Sequence, residues 1–186
     1  MIIFDLDGTL ADCEHRRHFV SPPQKSKFIF EDSIPHENGC ILTGNYYLED
    51  TKEKWTPNWQ AFYEACDNDK PIYATLELIE TLVTHDEYEQ LPLSEVEIWS
   101  GRCESVRRKT EKWLDKNLNN YQRVKLKMRP IGDSTPDDVL KERWLDETIA
   151  SGKSIDFVFD DRKKVRDMWI RRGIFVFDVS QGKGDF

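Results

Sequence analysis

Two carboxylates separated by a single residue stand near the start of the chain, in Asp5-Leu6-Asp7-Gly8-Thr9, directly behind the apolar run Met1 to Phe4. Alternation with Phe4 and Leu6 would place both acids on one face of a strand. Gly8 lets the backbone turn sharply after them, and Thr9 adds a hydroxyl. Two acids held this close imply a bound cation or a shared proton. The same residues also spell an ordinary strand running into an Asp-Gly turn, so the pair gains chemical meaning only from partners elsewhere in the chain.

Three further polar groups stand at the C-terminal ends of expected strands or at the start of the helix that follows. Ser100-Gly101-Arg102 comes after Glu95 to Trp99 and offers a hydroxyl, a flexible backbone amide and a guanidinium to an anion. Asp160-Asp161-Arg162 comes after Ile155 to Phe159, and its two carboxylates could complete an oxygen-only shell for Mg²⁺, a hard cation. Lys141 adds a point charge about one turn into a helix that the sequence starts at Thr135-Pro136-Asp137-Asp138. There Thr135 reads as N-cap, Pro136 as the first helical residue and Asp138 as the closing member of a capping box. All of these groups meet the same edge of the expected sheet, where carboxylates could hold a cation and the hydroxyl, amide and cations could hold an anion.

The elements that must position these groups are legible as a strand-helix alternation. Ile2 to Leu6, Val96 to Trp99, Val124 to Met128, Phe157 to Phe159 and Ile174 to Val179 read as buried strands. Between them, apolar residues recur at helical spacing: Leu76, Ile79, Leu82 and Val83; Val106, Thr110, Trp113 and Leu114; Val139, Leu140, Trp144 and Leu145; Val165, Met168 and Trp169. The expectation is an α/β fold, a doubly wound and mostly parallel sheet with helices on both faces and the chemistry at the strand ends.

Residues 12–70 break the alternation. A connection of this length inside a compact domain is usually a lid or a binding insert. Lys27 to Glu31 and Cys40 to Leu48 read as two strands of a hairpin spanning about 27–48, with Pro35, Asn38 and Gly39 in the turn. A short amphipathic helix over about 57–67 carries Trp59, Phe62, Tyr63 and Cys66. The expected division is a core of 1–11 and 71–186, with 12–70 as a cap.

Composition excludes several classes. A mean hydropathy of −0.69 and the lack of any long apolar run argue against a membrane span. Met1 leads straight into a strand, so no secretory leader is expected, and the cytoplasm is the expected location. Cys13, Cys40, Cys66 and Cys103 form no paired motif and read as reduced thiols. A net charge of −8 argues against a non-specific, high-affinity nucleic-acid binder. Two local clusters soften this: Arg107, Arg108, Lys109 and Lys112, and Arg162, Lys163, Lys164, Arg166, Arg171 and Arg172. Solvated helix faces are their simplest reading. Gly152-Lys153-Ser154 echoes the end of a P-loop, but Glu147 replaces the earlier glycine and no helix is expected to follow, so no ATP site is expected.

The ordered set of Asp5-x-Asp7-Gly8-Thr9, Ser100-Gly101-Arg102, Lys141 and Asp160-Asp161 resembles the haloacid dehalogenase (HAD) phosphatase superfamily. Arg16, Asp137-Asp138-Val139-Leu140-Lys141, Phe159-Asp160-Asp161-Arg162, Met168-Trp169 and Gly184-Asp185-Phe186 narrow the resemblance to the 3'-phosphatase domain of bacteriophage polynucleotide kinase. The resemblance implies Asp5 as nucleophile and Asp7 as general acid and base. It implies Mg²⁺ held by Asp5, the Asp7 backbone carbonyl and one or both of Asp160 and Asp161. Ser100, Gly101 and Lys141 would hold the phosphoryl oxygens, and Thr9, Arg16, Arg102 and Asp137 would also serve the substrate. The implied substrate is a phosphorylated nucleic-acid end or a nucleotide, with the host cytoplasm as location if the gene is carried by a phage. The sequence shows no kinase domain and leaves the oligomeric state open. Residues 21–57 depart from the family pattern, which leaves the identity of the leaving group to the insert.

Overall fold

A computed structural model of the chain describes residues 1–36, 39–84 and 95–182. Strand β1 (Ile2–Phe4) and the two-residue β2 (Ala11–Asp12) are followed by β3 (Ser26–His36), β4 (Gly39–Leu48), helix α1 (Trp59–Glu64), β5 (Lys70–Pro71) and α2 (Tyr73–Thr84). Then β6 (Val96–Cys103), α3 (Arg107–Asn117), β7 (Lys125–Arg129), α4 (Asp137–Ala150), β8 (Phe157–Asp160), α5 (Lys163–Arg171) and β9 (Phe175–Asp178) alternate. The chain divides into two compact units, Met1–Glu14 with Tyr63–Asp185 and His15–Phe62.

In the larger unit the sheet runs β7-β6-β1-β8-β9, with each neighbouring pair parallel. Strand β1 is buried on both faces, and its alternation decides which helices lie where. Ile2 and Phe4 join Leu76 and Ile79 of α2 and Trp113 and Leu114 of α3 in one core layer. Met1 and Ile3 join Trp99, Leu140 and Trp144 of α4 and Met168 and Trp169 of α5 in the other. Trp99 lies at 5.7 Å from Trp144 and 5.8 Å from Trp169, ring centroid to centroid, and Phe4 stacks on Phe159 at 4.4 Å. Each such large apolar side chain contributes on the order of 1.5–3 kcal/mol by leaving water. The doubly wound architecture expected from the strand-helix alternation is therefore present. None of the described helices is long and apolar enough to cross a membrane.

The strand order fixes the location of a site. The chain leaves β1 for β6 and β7 on one side, then returns to β8 and β9 on the other, so the direction of winding reverses at β1. In open α/β sheets a crevice forms beyond the carboxyl ends at such a reversal. Asp5 follows β1 and Asp160 ends β8, and the Asp5 amide donates to the Phe159 carbonyl at 2.9 Å.

Three boundaries differ from expectation. Strand β6 continues to Cys103 through a register irregularity between Ser100 and Cys103, so Ser100-Gly101-Arg102 lies within a bulged strand and not at a helix start. Pro136 occupies the N-cap of α4 with no side-chain cap, because the Thr135 carbonyl accepts from Arg129 and its amide donates to Asp133 at 2.8 Å. Pro35 lies in β3, paired with Cys40, and not in the turn. A two-stranded ribbon tolerates a proline because each strand has one unpaired side. Asn38 falls outside the described residues, and Gly39 begins β4.

The smaller unit, described by itself, is built on the antiparallel β3–β4 ribbon, with Ser26 opposite Leu48 and His36 opposite Gly39. A 3₁₀ helix, Glu14–Phe19, leads into it. Its end is tied down by the Asn58 amide donating to the Phe19 carbonyl at 2.8 Å. The helix expected near 57–67 is α1 followed by a separate 3₁₀ turn, Cys66–Asn68.

Candidate active site

The tight turn after β1 is closed by backbone hydrogen bonds, Leu10 and Ala11 amides to the Leu6 carbonyl at 2.9 Å and the Gly8 amide to the Ala11 carbonyl at 2.8 Å. Gly8 sits at φ +89°, and a Cβ there would lie 2.0 Å from Oδ2 of Asp161. A side chain would therefore be both strained and in collision, and only glycine lets this turn approach the end of β8.

That approach gathers three carboxylates. Oxygens of Asp5, Asp160 and Asp161 lie within 4.8 Å of one another, and all three residues are buried. Lys141, 2% exposed, reaches in from the first turns of α4 and donates to Asp5 Oδ1 at 2.5 Å and to Asp160 Oδ2 at 2.7 Å. The Arg162 amide donates to Asp160 Oδ1 at 3.0 Å. One ammonium faces three carboxyls, so the cluster carries excess negative charge in a setting that penalises it. Burial pushes the Asp5 carboxyl well above its ordinary value; Asp160 and Asp161 push the same way and Lys141 opposes them. Burial, with Asp160 beside it, pushes Asp161 up to about 6. Lys141 behaves oppositely: burial works against its charge, but Asp160, Asp5 and Asp137 outweigh it and hold the ammonium above its usual value. Oδ1 of Asp161 is buried and has no hydrogen-bond partner among the described residues. An oxygen-only cluster with excess charge and an orphaned acceptor fits a divalent cation.

Asp7 stands beside this cluster with a different partner. Arg102 donates to Asp7 Oδ1 through Nε at 2.9 Å and through its terminal nitrogen at 2.5 Å. The same nitrogen reaches Asp69 Oδ2 at 2.5 Å, where both side chains are fully buried. Asp69 is itself positioned by the Trp113 indole donating to its carbonyl at 2.7 Å. The two motif aspartates thus differ in environment, one against an ammonium and two acids, the other on a guanidinium.

A second arginine frame stands behind Ser100-Gly101. Ser100 is fully buried and its Oγ accepts from the Arg102 amide at 3.1 Å. The Gly101 carbonyl accepts from Arg129 Nε at 2.9 Å and from the Tyr63 hydroxyl at 3.3 Å. Asp137 is held by Arg129 on one oxygen and Arg162 on the other. A Cβ at Gly101 would lie 2.6 Å from Asp137 Oδ1, so this glycine too permits a close approach. Thr9 Oγ1 is buried with no hydrogen-bond partner among the described residues, while the Thr9 carbonyl accepts from Thr75 at 2.5 Å.

Of the residues singled out by sequence, Asp5, Asp7, Thr9, Ser100, Gly101, Arg102, Asp137, Lys141, Asp160 and Asp161 all lie in the larger unit, on the β1 turn, the bulged end of β6, the first turns of α4 and the end of β8. Arg16 lies in the smaller unit, where its guanidinium donates to the Phe62 carbonyl at 3.2 Å and stacks over the Phe62 ring at 4.1 Å. Sequence reasoning missed Asp69, Arg129 and Arg162 as frame residues. Arg129 ends β7 just as Asp160 ends β8, so the strand-end criterion would have found it. Asp69 sits in a polar run with no periodic signal.

The basic clusters prove largely self-neutralised. Arg107 pairs with Glu104 and Glu111, Lys109 with Glu64, Lys163 with Asp167, Arg166 with Asp178, and Arg171 and Arg172 with Glu142.

Comparison with known proteins adds two findings. Residues 59–186 match the family model described as the polynucleotide kinase PNKP phosphatase domain. Among solved structures, the chain is similar over its whole length to a chain of the Pnkp1/Rnl/Hen1 complex, with a TM-score of 0.62 and 24% identity. It is similar also to a chain of the Pnkp1/Rnl/Hen1 RNA repair complex, with a TM-score of 0.57 and 22% identity. It spans 46% and 43% of those chains, less than half their length.

Proposed function

We infer, from the premise that this chain belongs to the family of polynucleotide kinase PNKP phosphatase domains and so to the HAD-type phosphatases, that it removes a phosphate from the 3' end of a polynucleotide. The carrying observation is the gathering of buried Asp5, Asp160 and Asp161 around Lys141, beside an Asp7 held by Arg102. The association of the structural relatives with RNA repair puts RNA ends first among candidate substrates.

Asp5 is the nucleophile. Lys141 fixes its Oδ1, which arrests rotation of the carboxylate and orients it for attack on phosphorus. Attack forms an aspartyl-phosphate as the bond to the 3' oxygen breaks, and Asp7 gives its proton to that oxygen. Asp7 then takes a proton from the water that attacks the phosphorus, which restores Asp5. Arg102 sets the orientation of Asp7 through both nitrogens on Oδ1. Ser100, Gly101, Thr9 and Lys141 receive the phosphoryl oxygens, and Arg102 serves the leaving group. Asp137 acts through the arginines that hold it, because a bare carboxylate would repel the phosphate. Asp5, the Asp7 carbonyl, Asp160 and Asp161 would hold Mg²⁺. When bound, the cation offsets the carboxylate charge and neutralises the approaching dianion. Residues 12–70 act as the cap that selects the leaving group.

A second reading, a phosphatase of free nucleotides or other small esters, draws on the net charge of −8 and the pairing of most basic helix residues with acids. Turnover of a 3'-phosphorylated oligonucleotide, its 5'-phosphorylated counterpart and a 3'-mononucleotide separates the two. The polynucleotide reading requires the first to be the best substrate by kcat/KM, with steep loss of affinity as salt rises. Equal or better turnover of the mononucleotide would sink it.

A further inference from the structure

The β3–β4 ribbon presents aromatic side chains that its own fold does not bury. Phe28 and Phe30 alternate onto one face of β3, and Tyr46 opposite Phe28 joins them. Phe28 is 37% exposed, Tyr46 38% and Phe30 63%. The three rings meet edge to face, Phe28 at 5.1 Å from Phe30 and 5.0 Å from Tyr46. They form one continuous patch.

One of these rings has a structural use. Gly44 pairs with Phe30, and a Cβ at Gly44 would lie 2.8 Å from Phe28 Cζ, so the Phe28 ring covers that glycine. A ring packed over a glycine is a known stabilising device in sheets. Phe30 and Tyr46 are not accounted for in this way, and Phe30 leaves most of its surface to water at a cost that a purely structural residue would not carry.

We propose that this face is a stacking platform for bases of single-stranded nucleic acid, with Phe30 and Tyr46 as the base-contacting rings and Phe28 as their edge-on support. The proposal rests on the polynucleotide reading above, and the chemistry of the face favours that occupant. Its described side chains, Ser26, Phe28, Phe30, Tyr46 and Leu48, include no carboxylate to repel a phosphate chain. The acid of this part of the ribbon, Glu31, lies on the opposite face bound to Tyr47 and Asn45. Lys25 and Lys52 are exposed at the open end of the ribbon alongside Glu49, Asp50 and Glu53, while Lys27 and Lys54 belong with Tyr47 and Glu31 on the opposite face. Aromatic faces stack on any base and make a sequence-tolerant grip, which is what a protein acting on ends of any sequence requires.

The test compares wild type with Phe30→Ala, Tyr46→Ala and Phe30→Trp. One arm measures KM for a 3'-phosphorylated oligonucleotide, a second measures kcat/KM for glycerol phosphate, which has no ring, and a third measures Kd for the unphosphorylated oligonucleotide by fluorescence anisotropy. Each alanine variant should raise oligonucleotide KM and Kd by about 5- to 10-fold, the loss of one modest base stack. Phe30→Trp should bind at least as well as wild type. The fold-loss should stay constant as salt rises, since stacking releases no counterions, and glycerol phosphate turnover should not change. Alanine variants that bind the oligonucleotide like wild type overturn the platform, as does a change in self-association by sedimentation in place of a change in binding. If no phosphate is released from any substrate, the phosphatase reading fails, and the anisotropy arm still decides the platform.

Discussion

Replacing Lys141 with Met tests the electrostatics of the site without altering its packing much, because Met follows the apolar stem of Lys and stops short of the ammonium. The ammonium donates to Asp5 at 2.5 Å and Asp160 at 2.7 Å, and all three side chains are nearly or fully buried. Removing one partner of a buried pair leaves uncompensated charge and costs about 3–5 kcal/mol. In a chain of this size each kcal/mol shifts Tm by about 2–4 °C, so the metal-free variant should melt about 6–20 °C below wild type at pH 7.5. The pH dependence follows from the sign of the shifts. A carboxyl whose folded pKa is raised favours the folded state below its unfolded pKa, and this contribution is lost as pH rises through the folded value. Asp5 and Asp161 are both raised already, Asp161 to about 6, and losing Lys141 raises them further. The variant should therefore recover much of its stability between pH 7.5 and pH 5, measured by urea denaturation, while Mg²⁺ should restore part of it at pH 7.5. A variant within about 1 kcal/mol of wild type at pH 7.5, or one less stable at pH 5, would refute the reasoning.

Three further outcomes follow from the same geometry. Mg²⁺ affinity, measured by calorimetry, should rise with pH from 5 to 8, because the raised carboxyls of Asp161 and Asp5 must lose their protons to act as ligands; a flat profile over that range would contradict this. Gly8→Ala should abolish Mg²⁺ binding and destabilise the fold by at least the roughly 1–2 kcal/mol of a positive φ, since its Cβ would collide with Asp161, and thermal melts with and without Mg²⁺ would show both. Arg102→Ala should cost about 3–5 kcal/mol by leaving Asp69 buried without its guanidinium. The double variant with Asp69→Ala should be less destabilised than the sum of the two single variants, and strict additivity in a double-mutant cycle would remove the pair's role.

The fold was readable because its central strands, β1, β6 and β8, are largely buried on both faces and its helices on one. Ile2 to Phe4 and Phe157 to Phe159 therefore stand out as apolar runs, and the acids that follow them fall at strand ends by default. The continuation of β6 was hidden because Ser100 to Cys103 are polar or small residues whose strand pairing depends on β7. The helix start at Asp137 moved by one residue because Arg129, from a neighbouring strand, claims the Thr135 carbonyl. The buried cluster of Asp5, Asp160 and Asp161 with Lys141 was legible from type and position together. Asp69 was not, since its meaning comes from Arg102, far along the chain and adjacent only after folding. The acidic partners of the basic clusters were hidden for the same reason: Glu142 of α4 pairs with Arg171 and Arg172 across a helix-helix contact.

The central claim is that Asp5 attacks phosphorus. Acid quench of a reaction in steady state on a 3'-phosphorylated oligonucleotide, followed by borohydride reduction and peptide mass analysis, converts an aspartyl-phosphate to homoserine at the residue that carried it. The account predicts homoserine at Asp5, its loss in Asp5→Asn, and none at Asp7. Turnover with no modified aspartate, or modification at Asp7 in place of Asp5, would contradict it.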